Sequence, residues 1–359
     1  MNKAICIQVA SCFLRKFSNV VLASLLLGSI HANATVEDAI YRPAILSELG
    51  AKAFLTSADQ VGNNLVAVGE RGLILLSEDD GTSWRQVSSP VSVTLTEVQF
   101  FDDKNGYAIG HGGTVLRTIN GGEDWQVQLN GRQLASDLLA QAEKNKDKEA
   151  IRQATFLVED GPDKPFLDML VLDAQHLIVV GAYGLALESK DAGKTWVSWM
   201  DRLENDFGLH LYSIRKQGER ILVAGEQGFV TLSMDDGQSF TSIETPYEGS
   251  FFTAQLQGDS KIVLAGLRGT TLVSNDNGEN WKHIKNPIHA SILASFINAD
   301  GQITMANQAG ILLGLKADSL VPVTRKRLPP LTNVVEKSNG SVLALSIHGP
   351  VSIDVGDFK

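Results

Sequence analysis

Cysteine is nearly absent from this 359-residue chain: it has two, Cys6 and Cys12, both within the first 34 residues. From residue 35 onward there is none, which excludes a disulfide framework, a thiol nucleophile and a cysteine metal site there. Such scarcity fits an oxidising exported compartment. Long apolar runs are missing as well, and no stretch beyond residue 34 approaches the ~20 residues of a membrane-spanning helix. Positive charge is in the minority, with 31 Lys and Arg against 41 Asp and Glu, a formal net charge of −10. That balance argues against nucleic acid as a partner and gives no reason to expect anionic lipid. No Gly-x-Ser-x-Gly nucleophile elbow occurs. His111, His176, His210, His283, His289 and His348 are scattered, and only His283 and His289 lie close in sequence. Neither a metal nor a cofactor is expected on this pattern, and no catalytic residue is assigned.

The first residues read as a targeting segment. Lys3, Arg15 and Lys16 form a basic region, Val20 to Ile30 is apolar apart from Ser24, Gly28 and Ser29, and Ala32-Asn33-Ala34 suits a cleavage site. A signal peptide over residues 1–34, cleaved after Ala34, predicts a periplasmic or secreted product; the alternative is an uncleaved anchor. Removing the segment takes the net charge from −10 to −13, because it contains no Asp or Glu.

What the chain does contain is repetition. Ser77-Glu78-Asp79-Asp80-Gly81-Thr82-Ser83-Trp84 returns, with variations, from Thr118, Ser189, Ser233 and Ser274. The pattern is Ser/Thr-x-Asp/Asn-x-Gly-x-x-Trp/Phe, carried by Asp79 and Trp84, Asn120 and Trp125, Asp191 and Trp196, Asp235 and Phe240, and Asp276 and Trp281. Steps of 41, 71, 44 and 41 residues separate the units, so one unit is about 41 residues and the long step holds an insertion of roughly 30. The chemistry is that of a turn: the Asp or Asn accepts downstream backbone N–H groups, the Gly takes a positive φ, and the ring opens the next strand. The pattern resembles the Asp-box of sialidases and related β-propellers, which implies a turn between the third and fourth strands of a blade, away from the ligand face.

Each box follows a second repeat: Gly69-Glu70-Arg71-Gly72, Gly110-His111-Gly112-Gly113, Gly181-Ala182-Tyr183-Gly184, Gly225-Glu226-Gln227-Gly228 and Gly266-Leu267-Arg268-Gly269. Apolar runs flank each one, which marks a hairpin with a short glycine-bounded turn. The register continues into degenerate units at Asn307 and Ser346, giving hairpins near 69, 110, 181, 225, 266, 307 and 346. The expected fold is all-β, a seven-bladed propeller over 35–359. Its last unit lacks a fourth strand, and the segment Glu37 to Leu46 is expected to supply it and close the ring.

The insertion, about 130–160, carries no strand pattern. Leu134, Leu138, Leu139 and Ala142 fall at helical spacing, and Ile151, Ala154, Phe156 and Leu157 form a second stripe beyond a polar break at 145–148. Two short amphipathic helices are expected between blades two and three, on the face of the Gly-x-x-Gly turns, as a lid or docking surface.

Tandem Gly-x-x-Gly hairpins, each followed by a box, in an exported seven-bladed chain resemble the Ycf48/Hcf136 family of photosystem II assembly factors, with its BNR-like repeats. The resemblance covers roughly residues 45–355. The insertion and Asp160-Gly161-Pro162-Asp163-Lys164-Pro165-Phe166-Leu167-Asp168 are similar to a non-photosynthetic bacterial branch. It implies a non-enzymatic scaffold that holds a membrane protein or envelope complex, monomeric when free, without implying photosynthesis. The alternative is a sialidase-like hydrolase or carbohydrate-binding propeller, for which Arg71, Arg268, Tyr183, Glu70 and Glu226 are the available side chains. On the scaffold reading, the partner meets the turn residues Arg71, His111, Tyr183, Glu226, Gln227, Arg268 and His348, because Arg and Tyr exceed what a turn requires and are favoured at contact hot spots.

Overall fold

A computed structural model describes residues 37–324 and 326–353. The proposed signal peptide and its cleavage site lie outside the described residues. Six four-stranded antiparallel sheets and one of three strands follow one another along the chain. Sheet one runs Leu55–Val61, Asn64–Gly69, Ile74–Ser77 and Arg85–Gln86, and the others repeat its plan. The first strand of each sheet lies beside the first strand of the next, and the seventh, Leu331–Glu336, returns to the first. These are the blades and the central channel of a propeller.

Strand periodicity explains the ring. The second strand of blade one is free of charged and polar side chains after Asn64 and buried on both faces from Leu65, as expected of a strand sandwiched between neighbours. Its alternate side chains go to different interfaces: Leu65 and Ala67 pack with Leu343 and Leu345 of blade seven, while Val66 and Val68 pack with Leu95 and Val98 of blade two. Each remaining pair of adjacent blades has its own apolar cluster. Stability is thus spread over interfaces rather than held in one core.

Ring closure differs from the sequence expectation. Among the described residues blade seven has three strands, and the segment after Asp38 does not join it. That segment straps the link between blades one and two. Ile40, 2% exposed, packs with Val91 and Val93, Ala39 O accepts from Ser92 N at 2.9 Å, and Ala44 N donates to Ser89 O at 3.1 Å. The apolar side chain of Ile40 decides the matter, because its pocket lies over blade two. Blade seven instead abuts blade one directly: Thr332 Oγ1 donates to Leu55 O at 2.7 Å and Asn333 Nδ2 to Thr56 O at 3.1 Å.

The boxes join third to fourth strands, as expected. In the first, Ser83 N and Oγ donate to the two Asp79 oxygens at 2.8 and 2.6 Å, and Gly81 N donates to Ser77 Oγ at 2.8 Å. The two backbone bonds recur about Asn120, Asp191, Asp235 and Asp276, and at Asn120 the side-chain bond is reversed, Nδ2 donating to Asp124 Oδ2 at 2.9 Å. Donors from Ser239 and Ser233 hold the Asp235 carboxyl down at about 2. Burial of the rings is less uniform than the repeat suggests. Trp125 and Phe240 are buried, whereas Trp84, Trp196 and Trp281 are half-buried. The fully buried tryptophan is Trp199, just past the short last strand of blade three, 5.7 Å from Phe240 and donating to Glu188 Oε2 at 3.2 Å.

Candidate functional site: the turn face and the central channel

Each Gly-x-x-Gly turn connects the second and third strands of a blade. In blade one Leu73 N donates to Glu70 O at 3.0 Å, and both enclosed residues, Arg71 (φ 55) and Gly72 (φ 73), are left-handed. That is the primed turn demanded by hairpin twist. Gly72 is obligatory twice over, since a Cβ there would lie 2.0 Å from Val91 O in the chain leading to blade two. The residue before it has no such restriction of space. Tyr183 (φ 57), Gln227 (φ 52) and Arg268 (φ 58) occupy it in blades three, four and five, and only blade two uses glycine, Gly112. A side chain in this conformation costs about 1–2 kcal/mol, so four bulky side chains are held outward at a strained position where glycine would serve the turn.

The expected residues divide by role. Arg71, His111, Tyr183, Gln227, Arg268 and His348 are exposed on this face. Among the described residues neither Arg71 nor Arg268 makes an ion pair, and the ring order places them on blades one and five. Glu226 is turned inward: its Oε2 accepts from His210 N at 3.2 Å, as Glu70 accepts from Phe54 N at 3.4 Å. These two carboxylates brace the entry to the inner strand of their own blades, leaving the arginines without acidic company. The residues available to a hydrolase, Glu70, Tyr183, Glu226 and Arg268, are distributed over four blades.

The insertion forms α1 (Gly131–Asn145) and α2 (Lys148–Asp160). Asn130 Oδ1 caps α1 by accepting from Arg132 N and Gln133 N, and Asp147 Oδ1 caps α2 by accepting from Glu149 N and Ala150 N. Leu134 anchors α1 in the cluster between blades two and three. Gly113 N, in the blade-two turn, donates to Lys164 O at 2.8 Å. The helices therefore reach the turn face at blade two, but they lean on the last strand of blade three across a cleft lined by Leu138, Ala154, Val197 and Met200, and none of their residues lines the channel. Phe156, read as part of the packed stripe, is 54% exposed, because α2 presents Ala154 to the cleft and that face leaves Phe156 outward.

Sequence reasoning set the turns around a channel mouth but did not anticipate what lines the channel. It is a cavity of about 610 Å³ bounded by the inner strands of all seven blades. Its turn-face end carries an aromatic series: Tyr183 lies 5.0 Å from His210, His210 6.2 Å from Tyr212, and Tyr212 5.3 Å from Phe252 in an edge-on contact. Lys164 Nζ stands 5.0 Å over the Tyr183 ring. Deeper in, Asp59, Glu97 and Asp168 share the wall with Arg215. Arg215 pairs with Asp168, whose Oδ2 also accepts from Ile214 N at 2.9 Å. Asp59 Oδ2 accepts from Phe100 N at 2.7 Å, bridging blades one and two. Burial nevertheless pushes Asp59 up to about 6. Glu97 is driven well above the carboxylate range by burial first, then by Asp168. The signal was present in the sequence: a charged residue at the third or fifth position of an otherwise β-rich inner strand, as in Leu95-Thr96-Glu97-Val98.

The family model described as photosynthesis system II assembly factor YCF48 matches residues 76–143 and 149–248, from the third strand of blade one through blade four. No curated protein matches the chain. Among solved structures, YCF48 bound to a D1 peptide is 20% identical with a TM-score of 0.45, over 53% of this chain and 63% of that one, less than two thirds of its length. YCF48 from Cyanidioschyzon merolae is 15% identical with a TM-score of 0.62, over 85% of this chain and 97% of that one. The WD40 β-propeller domain of Doa1 is 13% identical with a TM-score of 0.61, over 89% and 98%. The likenesses to the Cyanidioschyzon protein and to Doa1 are in fold, and the family model adds the repeats themselves. The chain is a seven-sheet β-propeller whose repeats are similar to those of the YCF48 family model over residues 76–143 and 149–248.

Proposed function

We propose that this chain is an exported, non-enzymatic scaffold of the assembly-factor kind, which docks a segment of a membrane protein or envelope complex on its turn face. The observation that carries the reading is the repeated placement of Arg71, Tyr183, Gln227 and Arg268 at a left-handed turn position. Backbone strain retained at equivalent sites of four blades favours a use for the side chains themselves. The match to an assembly-factor family model supports the class of role, and the leader-like residues 1–34 support export. The free guanidinium groups suit an acidic loop or terminus, because guanidinium binds carboxylate in a bidentate manner. Arg71→Glu combined with Arg268→Glu tests the reading. Partner capture from envelope extract, identified by mass spectrometry, is expected to disappear while the melting curve stays unchanged. Retention of every co-purifying protein by the double variant places the working surface elsewhere.

A further inference from the structure

We propose that the central channel binds one cationic side chain, an arginine or lysine carried by the docked protein segment, held between the aromatic mouth and the carboxylates beneath it. The proposal rests on the docking role of the turn face and adds what the partner inserts there. Room is ample, at about 610 Å³, many times the ~30 Å³ share of one water. Tyr212 and Phe252 stand edge to face at 5.3 Å on adjacent blades, and aromatic faces at such an entrance attract a cation.

The wall supplies the opposite charge. The ionisable residues lining the cavity are Asp59, Glu97, Asp168 and Glu336, with Tyr212 and one cation, Arg215; blades five and six contribute Phe252, Thr253 and the uncharged stretch from Leu293 to Ile297. Arg215 is committed to Asp168, so among the described residues no cation pairs with Glu97 or Asp59. Behind Glu97 the hydroxyl of Ser57 is fully buried and leans on that carboxyl.

Bracing of the next inner strand accounts for Asp59 and Asp168, but not for Glu97. In blade seven, Asn333 stands where Glu97 stands in blade two, and it braces the neighbouring strand as an uncharged amide. Ser57, Ser213, Thr253 and Ala294 occupy the equivalent position in blades one, four, five and six, and Asp168, paired with Arg215, occupies it in blade three. Desolvation favours the neutral form of Asp59 and Glu97, and an inserted guanidinium or ammonium group supplies the counter-charge that favours ionisation. Because burial raises Asp59 and Glu97, binding a cation must expel protons from them, and affinity rises with pH through about 6.

The test is calorimetric titration of the full chain with acetyl-Gly-Arg-Gly-amide and with its uncharged citrulline counterpart. The arginyl peptide is expected to bind about tenfold or more tightly than the citrullyl peptide, and more tightly at pH 7.5 than at pH 5.5. Glu97→Gln with Asp59→Asn is expected to remove that preference. Because an amide in place of the Asp59 carboxylate can keep only one of its two backbone acceptor bonds, Glu97→Gln alone is the variant expected to weaken the preference without lowering the melting temperature. Equal binding of the two peptides, or an undiminished preference in the double variant, overturns the proposal. Spermidine binding in place of the arginyl peptide also overturns it, because the site would then serve a free polyamine. Failure of both peptides to bind a chain that still captures its partner through Arg71 and Arg268 overturns the channel site and leaves the docking role standing.

Discussion

Lys337 Nζ in blade seven donates to both the backbone oxygen and the Oδ2 of Asp80 in blade one, each at 3.0 Å. The lysine side chain is 4% exposed and the aspartate 42%, so the bond fastens the last blade to the first box near the point where the ring closes. Asn339 Nδ2 adds a third donor to Asp80 Oδ2 at 2.8 Å. Asp80→Asn is expected to lower stability by about 1–2 kcal/mol, since it strands a buried ammonium beside a partly solvated partner. Adding Lys337→Met should recover most of the loss. Chemical denaturation of the two single variants and the double variant checks this, and strict additivity would show the pair to be uncoupled.

The aromatic residues predict a graded series. Trp199→Ala and Trp125→Ala should each cost about 3–5 kcal/mol, because those rings are buried. Trp84→Ala, Trp196→Ala and Trp281→Ala should cost clearly less, since their rings keep contact with water. Urea midpoints of the five variants decide it, and a uniform loss across all five would contradict the burial pattern.

The left-handed turn position predicts a separation of stability from binding. Arg71→Gly and Arg268→Gly relieve about 1–2 kcal/mol of strain each, offset in part by about 0.4–1 kcal/mol of unfolded-chain entropy. The melting temperature should hold or rise while partner capture weakens. A fall in melting temperature would mean that these side chains support the turn rather than a partner.

Two carboxyl groups predict opposite pH responses. Asp59 sits at about 6 when folded against 3.8 in its reference state. Its contribution is fully present below about pH 4 and is lost as pH rises through about 6. Asp59→Asn loses one of two backbone acceptor bonds at any pH, but its effect relative to the parent should become more favourable from pH 4 to pH 8 by at most about 3 kcal/mol. Asp235 is held at about 2, so its contribution is present above about pH 4 and is lost as pH falls through 2. Thermal melts of each variant against the parent across pH 2–8 check both signs.

Much of this architecture is written in local pattern. Asp79, its equivalents and the glycines after them impose a turn by chemistry that acts within a few residues, and seven hairpins at one period leave little choice but a ring. The break between the two helices was legible from the polar run at 145–148; the caps at Asn130 and Asp147 came from the structure, although capping is local. Three features needed the fold. Ile40 rather than backbone pairing fixed the path of the segment after Asp38, since its pocket is assembled from Val91 and Val93, some fifty residues away in sequence. Trp125 is buried and Trp84 is not, although both occupy the same place in the repeat, because burial depends on the neighbouring blade: Trp125 shares an apolar cluster with Val61 and Val66 of blade one and stands edge-on 6.1 Å from Phe100 of its own blade. Asp59, Glu97, Asp168 and Arg215 are unremarkable in sequence, where they are separated by 38, 71 and 47 residues. Only ring closure brings four inner strands together and turns scattered charges into one wall of a channel, since desolvation and Coulomb forces act through space rather than along the chain.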